Sequence, residues 1–383
     1  MLAASLALAP SVAIAQAPAG WAGFVRAFDA YAASDSVVGS SVVYARGGRI
    51  VAHHELGFGD RARNERVDER TIFHYGSITK TLTAVAIMQL RDRGLLSLDD
   101  PVTRWVPEIR LMHNPFGSTD AVTIRMLLSH SSGFQNPTWP YGNGKPWEPF
   151  EPTRWEQLVA MMPYQEVHFT PGSRYSYSNP GFIYLARIIE AITGDPYQSW
   201  IYKNIWTPLG MSRSYFGASP YHLADQRSNN YTLVQDSGGP EHIVTNGREF
   251  DPGITIPNGG WNAPLADLVT WAAFLTGATP NDLVLRRSSI DEMWRGVVPI
   301  GPASIVGAAA DSMGLSFFLT ARRGVTIPGH TGHQAGFRSF LYMNPRTRET
   351  VIGVFNTAND VRDRESAAGW TSLISGAFDL LVP

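Results

Sequence analysis

The sequence contains no cysteine, which excludes disulfides, thiolate metal sites and a cysteine nucleophile. Lysine is also scarce, because it occurs only at positions 80, 145 and 203 although the chain has 31 basic residues. Arginine therefore supplies nearly all of the positive charge. A lysine can lose its proton in a buried site and an arginine cannot, so the few lysines are the positions at which to look for proton transfer.

Charge of either sign is sparse as well. Charged residues make up 17% of the 383 residues, the formal net charge is −2, and no run of basic residues occurs. These features argue against a surface that binds nucleic acid or anionic membranes. With 44% hydrophobic residues the chain can bury a large core, and we expect its partner to be a small molecule or a short peptide.

Two common hydrolase signatures are missing. The sequence has no H-E-x-x-H, the zinc-binding motif of metalloproteases, and no G-x-S-x-G, the nucleophile motif of α/β-hydrolases. We therefore expect neither a metal ion nor another cofactor. The sequence does not specify an oligomeric state.

The first seventeen residues, MLAASLALAPSVAIAQA, are apolar and end in small side chains, with Ala13-Ile14-Ala15 as an A-x-A cleavage site. They lack the positive charge that usually begins such a segment. We interpret residues 1–17 as an export signal, which predicts a periplasmic or secreted protein; an ordinary hydrophobic tail is the alternative. The run is too short and too rich in alanine for a membrane span, so we expect no stable membrane insertion.

Two segments near opposite ends of the chain have the pattern of β-hairpins. Residues 42–54 contain two β-rich runs around a Gly-Gly pair, and residues 337–356 repeat the pattern around an Asn-Pro pair. Helical patterns and loops dominate between them. This layout predicts an α+β fold, in which an antiparallel β-sheet formed by the N- and C-terminal segments is flanked by helices and carries an inserted, mainly helical domain.

The predicted domains follow from the same pattern. Residues 20–75 plus 290–383 are assigned to the sheet domain and residues 76–289 to the mainly helical domain. We expect the active site in the groove between them.

Two helices stand out in the middle of the chain. The segment after Ser77, ITKTLTAVAIMQLRDRG, is apolar on nearly all sides and stops at Gly94, as is typical of a buried helix. Residues 181–193 predict a second helix, ended by Gly194. Residues 134–155 are rich in proline and aromatic side chains and predict a long surface loop, a candidate wall of the pocket.

Ser77 and Lys80 form an S-x-x-K pair at the start of the first of these helices. Residues three apart on a helix share a face, so the lysine amine can reach the serine hydroxyl. Serine is a poor nucleophile until a neighbouring base removes its proton, and a buried lysine can be that base. The alternative is a purely structural role, in which the pair marks a buried helix start beside an exposed lysine. The pair alone does not decide between the two.

Further motifs follow in a fixed order along the chain. They are FHYGSITK (73–80), RGLLSLDDPVTRWVP (93–107), TIRMLLSHSSGF (123–134), PGSRYSYSN (171–179), PLGM (208–211), PNGGWNAPLADL (257–268) and GHTGHQAGF (329–337). In this order and spacing they closely resemble the serine β-lactamase and penicillin-binding-protein superfamily, in its branch of class C β-lactamases, DD-peptidases, D-aminopeptidases and related esterases. The resemblance covers nearly all of residues 25–375.

The resemblance implies roles for four residues. Ser77 matches the acylated nucleophile and Lys80 its partner base. Tyr177 matches the tyrosine of the Y-x-N element, which relays a proton to the leaving group. Asn179 matches the amide that bonds Lys80 and the substrate carbonyl.

The segment His330-Thr331-Gly332 falls where class C enzymes of the superfamily have K-T-G, on a strand that lines the site. Here the sequence departs from the β-lactamase pattern, because a lysine would give a permanent cation for a substrate carboxylate whereas a histidine is mostly neutral at pH 7. The resemblance thus favours DD-peptidases and esterases over efficient β-lactam hydrolysis. Gly332 would let the chain pass close to the ligand. The resemblance further implies that the backbone N–H groups of His333 and Ser77 form the oxyanion hole.

His130, in LLSHSSG, is a candidate catalytic residue by type, but the resemblance makes it a structural, hydrogen-bonded histidine.

The prediction is therefore a serine hydrolase that cleaves ester or amide bonds of small substrates through an acyl-enzyme, as a β-lactamase-like carboxylesterase. Two alternatives stay open. One is a peptidase specific for D-amino acids, or a β-lactamase; the other is a catalytically silent protein that binds peptidoglycan or a peptide. Fold membership alone does not choose among them.

Overall fold

The structure is a computed structural model that describes residues 17–134, 152–301 and 310–383. The predicted export signal, apart from its last residue, lies outside this part of the chain. Most of the predicted loop, residues 135–151, lies outside it as well. Both stay predictions.

The helices of the described residues are α1 Trp21–Ser34, α2 Thr79–Asp92, α3 Ile124–Leu128, α4 Trp155–Met161, α5 Asn179–Thr193, α6 Tyr197–Ile201, α7 Thr207–Leu209, α8 Ile256–Gly259, α9 Leu265–Thr276, α10 Arg287–Met293 and α11 Asp363–Leu381. The strands are β1 Gly39–Arg46, β2 Arg49–Asp60, β3 Glu65–Arg66, β4 Ile72–His74, β5 Tyr215–Phe216, β6 Asn230–Gln235, β7 Glu241–Gly247, β8 Trp261–Pro264, β9 Val298–Pro299, β10 Ser312–Met313, β11 Phe318–Arg322, β12 Val325–Gln334, β13 Phe337–Asn344, β14 Glu349–Phe355 and β15 Thr357–Asn359.

The main sheet combines both ends of the chain, as predicted. Its order is β3-β2-β1-β14-β13-β12-β11-β10-β9, and every neighbouring pair is antiparallel. The two predicted hairpins are β1–β2 and β13–β14, and β1 pairs with β14 so that Val43 lies opposite Ile352. The α+β prediction is therefore confirmed.

Helices cover both faces of this sheet. On one face α1 and α11 pack on aromatic side chains of the sheet; the rings of Phe28 and Phe355 stack with centroids 4.7 Å apart. On the other face lie α9 and α2, which is buried from Thr79 to Leu90, in the larger of the two main hydrophobic clusters. Burial of apolar area on both faces is what holds these layers together.

The middle of the chain contains strands that sequence reasoning missed. A three-stranded sheet has the order β15-β6-β7, and another has the order β4-β8-β5. The strands of the second sheet are two to four residues long, too short for an alternating pattern to be recognised. The middle region is thus not built of helices and loops alone, and the division at residues 75/76 and 289/290 stays a prediction.

Among the described residues, no helix is both long and apolar enough to cross a membrane.

Candidate active site

Ser77 lies in a single 3₁₀ turn, Gly76–Ile78, between the end of β4 and the start of α2. It therefore precedes the helix rather than lying on its first turn. The preceding Gly76 has φ +51°, and a Cβ there would lie 2.9 Å from the backbone nitrogen of His333. Only glycine fits this left-handed, crowded position, so Gly76 lets the serine turn approach the end of β12.

Lys80 follows Ser77 by three residues, and its side chain reaches the serine hydroxyl, as the spacing predicts. Its Nζ is 2.8 Å from Ser77 Oγ and 2.8 Å from the carbonyl oxygen of Asn258. The side chain is 0% exposed, and no carboxylate in the described part of the chain pairs with it. Burial lowers the pKa of Lys80 well below its ordinary value, because the charged form has lost its water and gained no anion.

The ring of Tyr177 lies next to the amine of Lys80. Lys80 Nζ lies 4.9 Å from the centre of the Tyr177 ring. The phenol oxygen is enclosed, and burial raises the pKa of Tyr177. The phenol therefore keeps its proton while the amine beside it tends to lose one.

The hydrogen bond expected between Asn179 and Lys80 is not among those of the lysine amine. Asn179 is the first residue of α5, which begins two residues earlier than the pattern predicts. The carbonyl of Asn258, in α8, instead accepts the hydrogen bond from Lys80. A backbone carbonyl that approaches to 2.8 Å satisfies the donor for which an amide side chain was predicted.

His330 lies on β12. It is 0% exposed, its Nδ1 is 2.5 Å from the carbonyl oxygen of Thr331, and its ring centre lies 6.3 Å from that of Tyr177. Because a carbonyl only accepts, Nδ1 carries the proton. Burial, reinforced by Lys80, lowers the pKa of His330 to about 3, so the imidazole is neutral at pH 7.

The end of β12 lies against the turn that carries Ser77. A Cβ at Gly332 would lie 1.9 Å from the carbonyl oxygen of Tyr75, so only glycine permits this approach. Thr331 is buried, whereas His333 is exposed and its backbone lies beside Gly76. The predicted residues of the H-T-G segment and of the S-x-x-K pair are thereby brought together.

His130 is buried beneath Tyr177. Its Nδ1 accepts a hydrogen bond from the backbone N–H of Ser178 at 3.0 Å, and the two rings stack with centroids 4.2 Å apart. Burial, with Lys80 and His330 nearby, lowers its pKa well below the ordinary value. This is the hydrogen bond that the structural interpretation of His130 requires.

Asn258 is the participant that sequence reasoning missed. It lies in the block PNGGWNAPLADL, but it acts through its backbone carbonyl, which has no residue-specific signal. Only the position of the block in the ordered series of motifs pointed toward the site.

Within residues 17–134, 152–301 and 310–383, no group of three or more histidine, aspartate or glutamate side chains is arranged to hold a metal ion.

The family model described as Beta-lactamase matches residues 24–374. Penicillin-binding protein 4* of Bacillus subtilis (strain 168) is 31% identical over 177 residues, which cover 45% of this chain and 37% of that protein. Esterase EstB of Burkholderia gladioli is 30% identical over 255 residues, which cover 61% of this chain and 64% of that protein. The chain thus spans less than two thirds of the length of these curated relatives.

The fold is also found in solved structures. A D-stereospecific amidohydrolase from Streptomyces sp. aligns with a TM-score of 0.71 and 25% identity, over 94% of this chain and 98% of that one.

Proposed function

The chain belongs to the β-lactamase family, whose members are serine hydrolases, and from this premise we propose that it cleaves ester or amide bonds of small substrates through an acyl-enzyme on Ser77. The observation that carries the proposal is the 2.8 Å contact between Ser77 Oγ and a buried lysine that has no anionic partner among the described residues. Such a lysine is a base rather than a cation.

Lys80 is the proposed base. In its neutral form the amine has two N–H groups, one of which donates to the Asn258 carbonyl, and a lone pair that accepts the proton of the Ser77 hydroxyl. The serine oxygen then forms a bond to the substrate carbonyl carbon. The opposite pKa shifts of Lys80 and Tyr177 support this assignment, because they leave the amine free to accept and the phenol able to donate.

Tyr177 is the proposed relay. When the tetrahedral intermediate collapses, the bond from carbon to the leaving oxygen or nitrogen breaks and the leaving atom needs a proton. The phenol gives up its proton and takes one from the ammonium of Lys80, so its own charge is unchanged. In deacylation, water attacks the acyl-enzyme, the proton transfers run in the reverse order, and the acid is released.

The backbone N–H groups of Ser77 and His333 are the proposed oxyanion hole. The close approach of Gly76 to the His333 nitrogen supports this role, because it brings the backbone of His333 next to the turn that carries Ser77. Donors that are held in place before the reaction stabilise the negative oxygen of the transition state without reorganisation.

The proposed substrates are small neutral carboxylic esters or short amides. A carboxylate on the substrate would need a cation, and the buried, neutral His330 does not supply one. Lys80 is the one other ionisable group among the described residues that influences the pKa of His330, and as the proposed base it is not a permanent cation for a carboxylate. A substrate without a carboxylate therefore fits the site better than a β-lactam.

Two other functions have weaker support. A D-amino-acid-specific peptidase or amidase is favoured by the similarity to the D-stereospecific amidohydrolase, at 25% identity. A silent binding protein is disfavoured by the contacts that Ser77, Lys80 and Tyr177 make with one another.

Covalent labelling tests the proposal directly. The protein is incubated with a fluorophosphonate, its intact mass is measured, and the modified peptide is sequenced. We expect one adduct, on Ser77, and none in Ser77→Ala. A wild-type protein of unchanged mass, or label on another residue, would overturn the proposal.

A substrate panel then tests the substrate class. p-Nitrophenyl butyrate, a D-alanine p-nitroanilide and nitrocefin are compared by kcat/KM, with Ser77→Ala as the blank. We expect the neutral ester to be the best substrate; a higher value for nitrocefin would contradict the argument from His330.

A further inference from the structure

His74 is a buried histidine close to Ser77 that proton transfer does not use. It is 1% exposed and ends β4, three residues before Ser77. Its Nδ1 lies 2.9 Å from Oδ1 of Asn262 on β8, and its Nε2 lies 3.2 Å from Oε1 of Gln334 at the end of β12. One imidazole thus connects three strands that belong to two different sheets.

Gln334 is the other end of this connection. It directly follows His333 in the chain, and its Nε2 donates to Oγ1 of Thr255 at 3.0 Å. Its carboxamide occupies space that a side chain at position 259 would fill, because a Cβ at Gly259 would lie 2.0 Å from Gln334 Oε1. The carboxamide is therefore enclosed by His74, Gly259 and Thr255 rather than directed into solvent.

The partners of the two amides fix their orientation. Nδ2 of Asn262 is directed at the backbone carbonyls of Tyr215 and Gly260, at 3.4 and 3.3 Å, so its oxygen faces His74. Both atoms that face the ring are oxygens, so a ring with one N–H donates to Asn262 or to Gln334 and not to both at once; the tautomer with the proton on Nε2 makes the hydrogen bond to Gln334.

His74 is uncharged in this setting. Its environment consists of the aromatic rings of Phe250 and Phe337, with centroids at 4.7 and 5.9 Å, and the buried guanidinium of Arg227, which lies over Phe337. Burial and then Arg227 lower the pKa of His74 to about 3. A neutral ring neither competes for the Lys80 proton nor disturbs the charge of the site.

The positions of the two residues in the chain are what matters for function. His74 precedes the turn that carries one proposed oxyanion donor, the N–H of Ser77, and Gln334 follows the residue that carries the other, the N–H of His333. We propose that His74 and Gln334 are positioning residues that hold these two N–H groups at a fixed separation. The inference rests on the proposed function and adds to it residues that do not touch the substrate.

Gln334→Leu is the principal test, since Gln334 is only half-buried and the variant should fold. The acylation rate constant at saturation and the dissociation constant of the unreacted ester are measured in single turnover with p-nitrophenyl butyrate. We expect acylation to slow about 10-fold or more, which is less than the roughly 10²–10³-fold cost of removing an oxyanion donor, while the dissociation constant stays within about twofold. An alkyl boronic acid, whose serine adduct carries the same oxyanion, should lose affinity by a similar factor.

The pH profile separates this role from that of the base. Because neither residue contacts Lys80, the apparent pKa of acylation should be the same in wild type and variant. His74→Leu and the double variant complete a cycle. The double variant should be no slower than the slower single variant if the two side chains act together.

Gln89→Leu is the matched control. Gln89 is a glutamine that is more deeply buried than Gln334 and is likewise hydrogen-bonded, with Nε2 donating to the carbonyls of Asn204 and Val284 at 2.9 Å each. Its replacement should lower the melting temperature without changing the acylation rate per site titrated with fluorophosphonate.

The outcomes are distinct. Acylation and boronate affinity in Gln334→Leu equal to those of wild type would overturn the positioning role, as would equal slowing in Gln89→Leu. A wild-type protein that neither turns over ester nor takes up label would instead overturn the proposed function.

Discussion

Lys80 and Lys203 show how differently the same side chain behaves in two regions of this molecule. Lys203 lies near the end of α6, its side chain is 59% exposed, and its Nζ lies 3.1 Å from a carboxylate oxygen of Asp195. Lys80 is 0% exposed, and its hydrogen-bond partners among the described residues are a hydroxyl and a carbonyl. Lys203 is therefore a surface cation with an anion beside it.

The difference teaches that burial without an anion is what turns a lysine into a base. A neutral hydroxyl and a carbonyl satisfy the hydrogen bonds of an amine, but they do not repay the loss of hydration of an ammonium ion. The same spacing from a serine on an exposed helix would leave the amine charged and unable to accept a proton.

Replacement of each lysine by methionine breaks the comparison most strongly. Lys80→Met should reduce kcat/KM for an ester by about 10³–10⁴-fold, because the serine loses its base. Lys203→Met should leave kcat/KM within about twofold, because that side chain lies at the surface. Both variants are assayed with p-nitrophenyl butyrate and titrated with fluorophosphonate.

Lys80→Arg sharpens the same comparison. It keeps a positive charge but cannot release its proton, so it should be as inactive as Lys80→Met. Normal turnover in this variant would show that no proton leaves residue 80.

Tyr177→Phe removes the phenol oxygen but keeps the ring over Lys80. We expect a loss of about 10²-fold or more in kcat/KM, since the leaving group must take its proton directly from the ammonium. The loss should be smaller for p-nitrophenyl esters than for alkyl esters, because p-nitrophenolate leaves without a proton. Equal losses for both esters would contradict the relay.

The smallest effect is on stability. In the unfolded chain Lys80 binds a proton up to its ordinary pKa of 10.5, whereas the folded protein releases it at lower pH. Between these two values the unfolded state binds more protons, so the free energy of unfolding rises with pH. The free energy of unfolding of wild type, minus that of Lys80→Met, should thus increase from neutral pH to pH 10, by at most about 1.4 kcal/mol per pH unit.

Urea denaturation of the two proteins at several pH values measures this difference. A difference that is independent of pH would mean that the folded protein keeps the proton on Lys80 at neutral pH.

The sequence predicted those features whose signals are local. The contact of Ser77 with Lys80 follows from a spacing of three residues, and the two hairpins follow from short alternating runs around turn residues. The H-T-G segment was predicted from its resemblance to a family, and the structure brings it to the serine turn.

The features that were missed depend on contacts between distant segments. The Asn258 carbonyl reaches Lys80 from 178 residues away, and His74 meets Gln334 across 260 residues. A backbone carbonyl carries no side-chain signal, and a buried histidine looks the same in a sequence whether it braces a site or fills a core. The short strands β5 and β8 gave no pattern either.

The pairing of β1 with β14 also constrains how the protein can acquire its structure. Ser41 lies opposite Val354, so the centre of the sheet joins residues that are far apart in the sequence. Contacts of such high sequence separation form slowly, because a long loop must close before any of them is gained. The β1–β2 hairpin must therefore wait, with the free edge of β1 unpaired, until β14 has been synthesised.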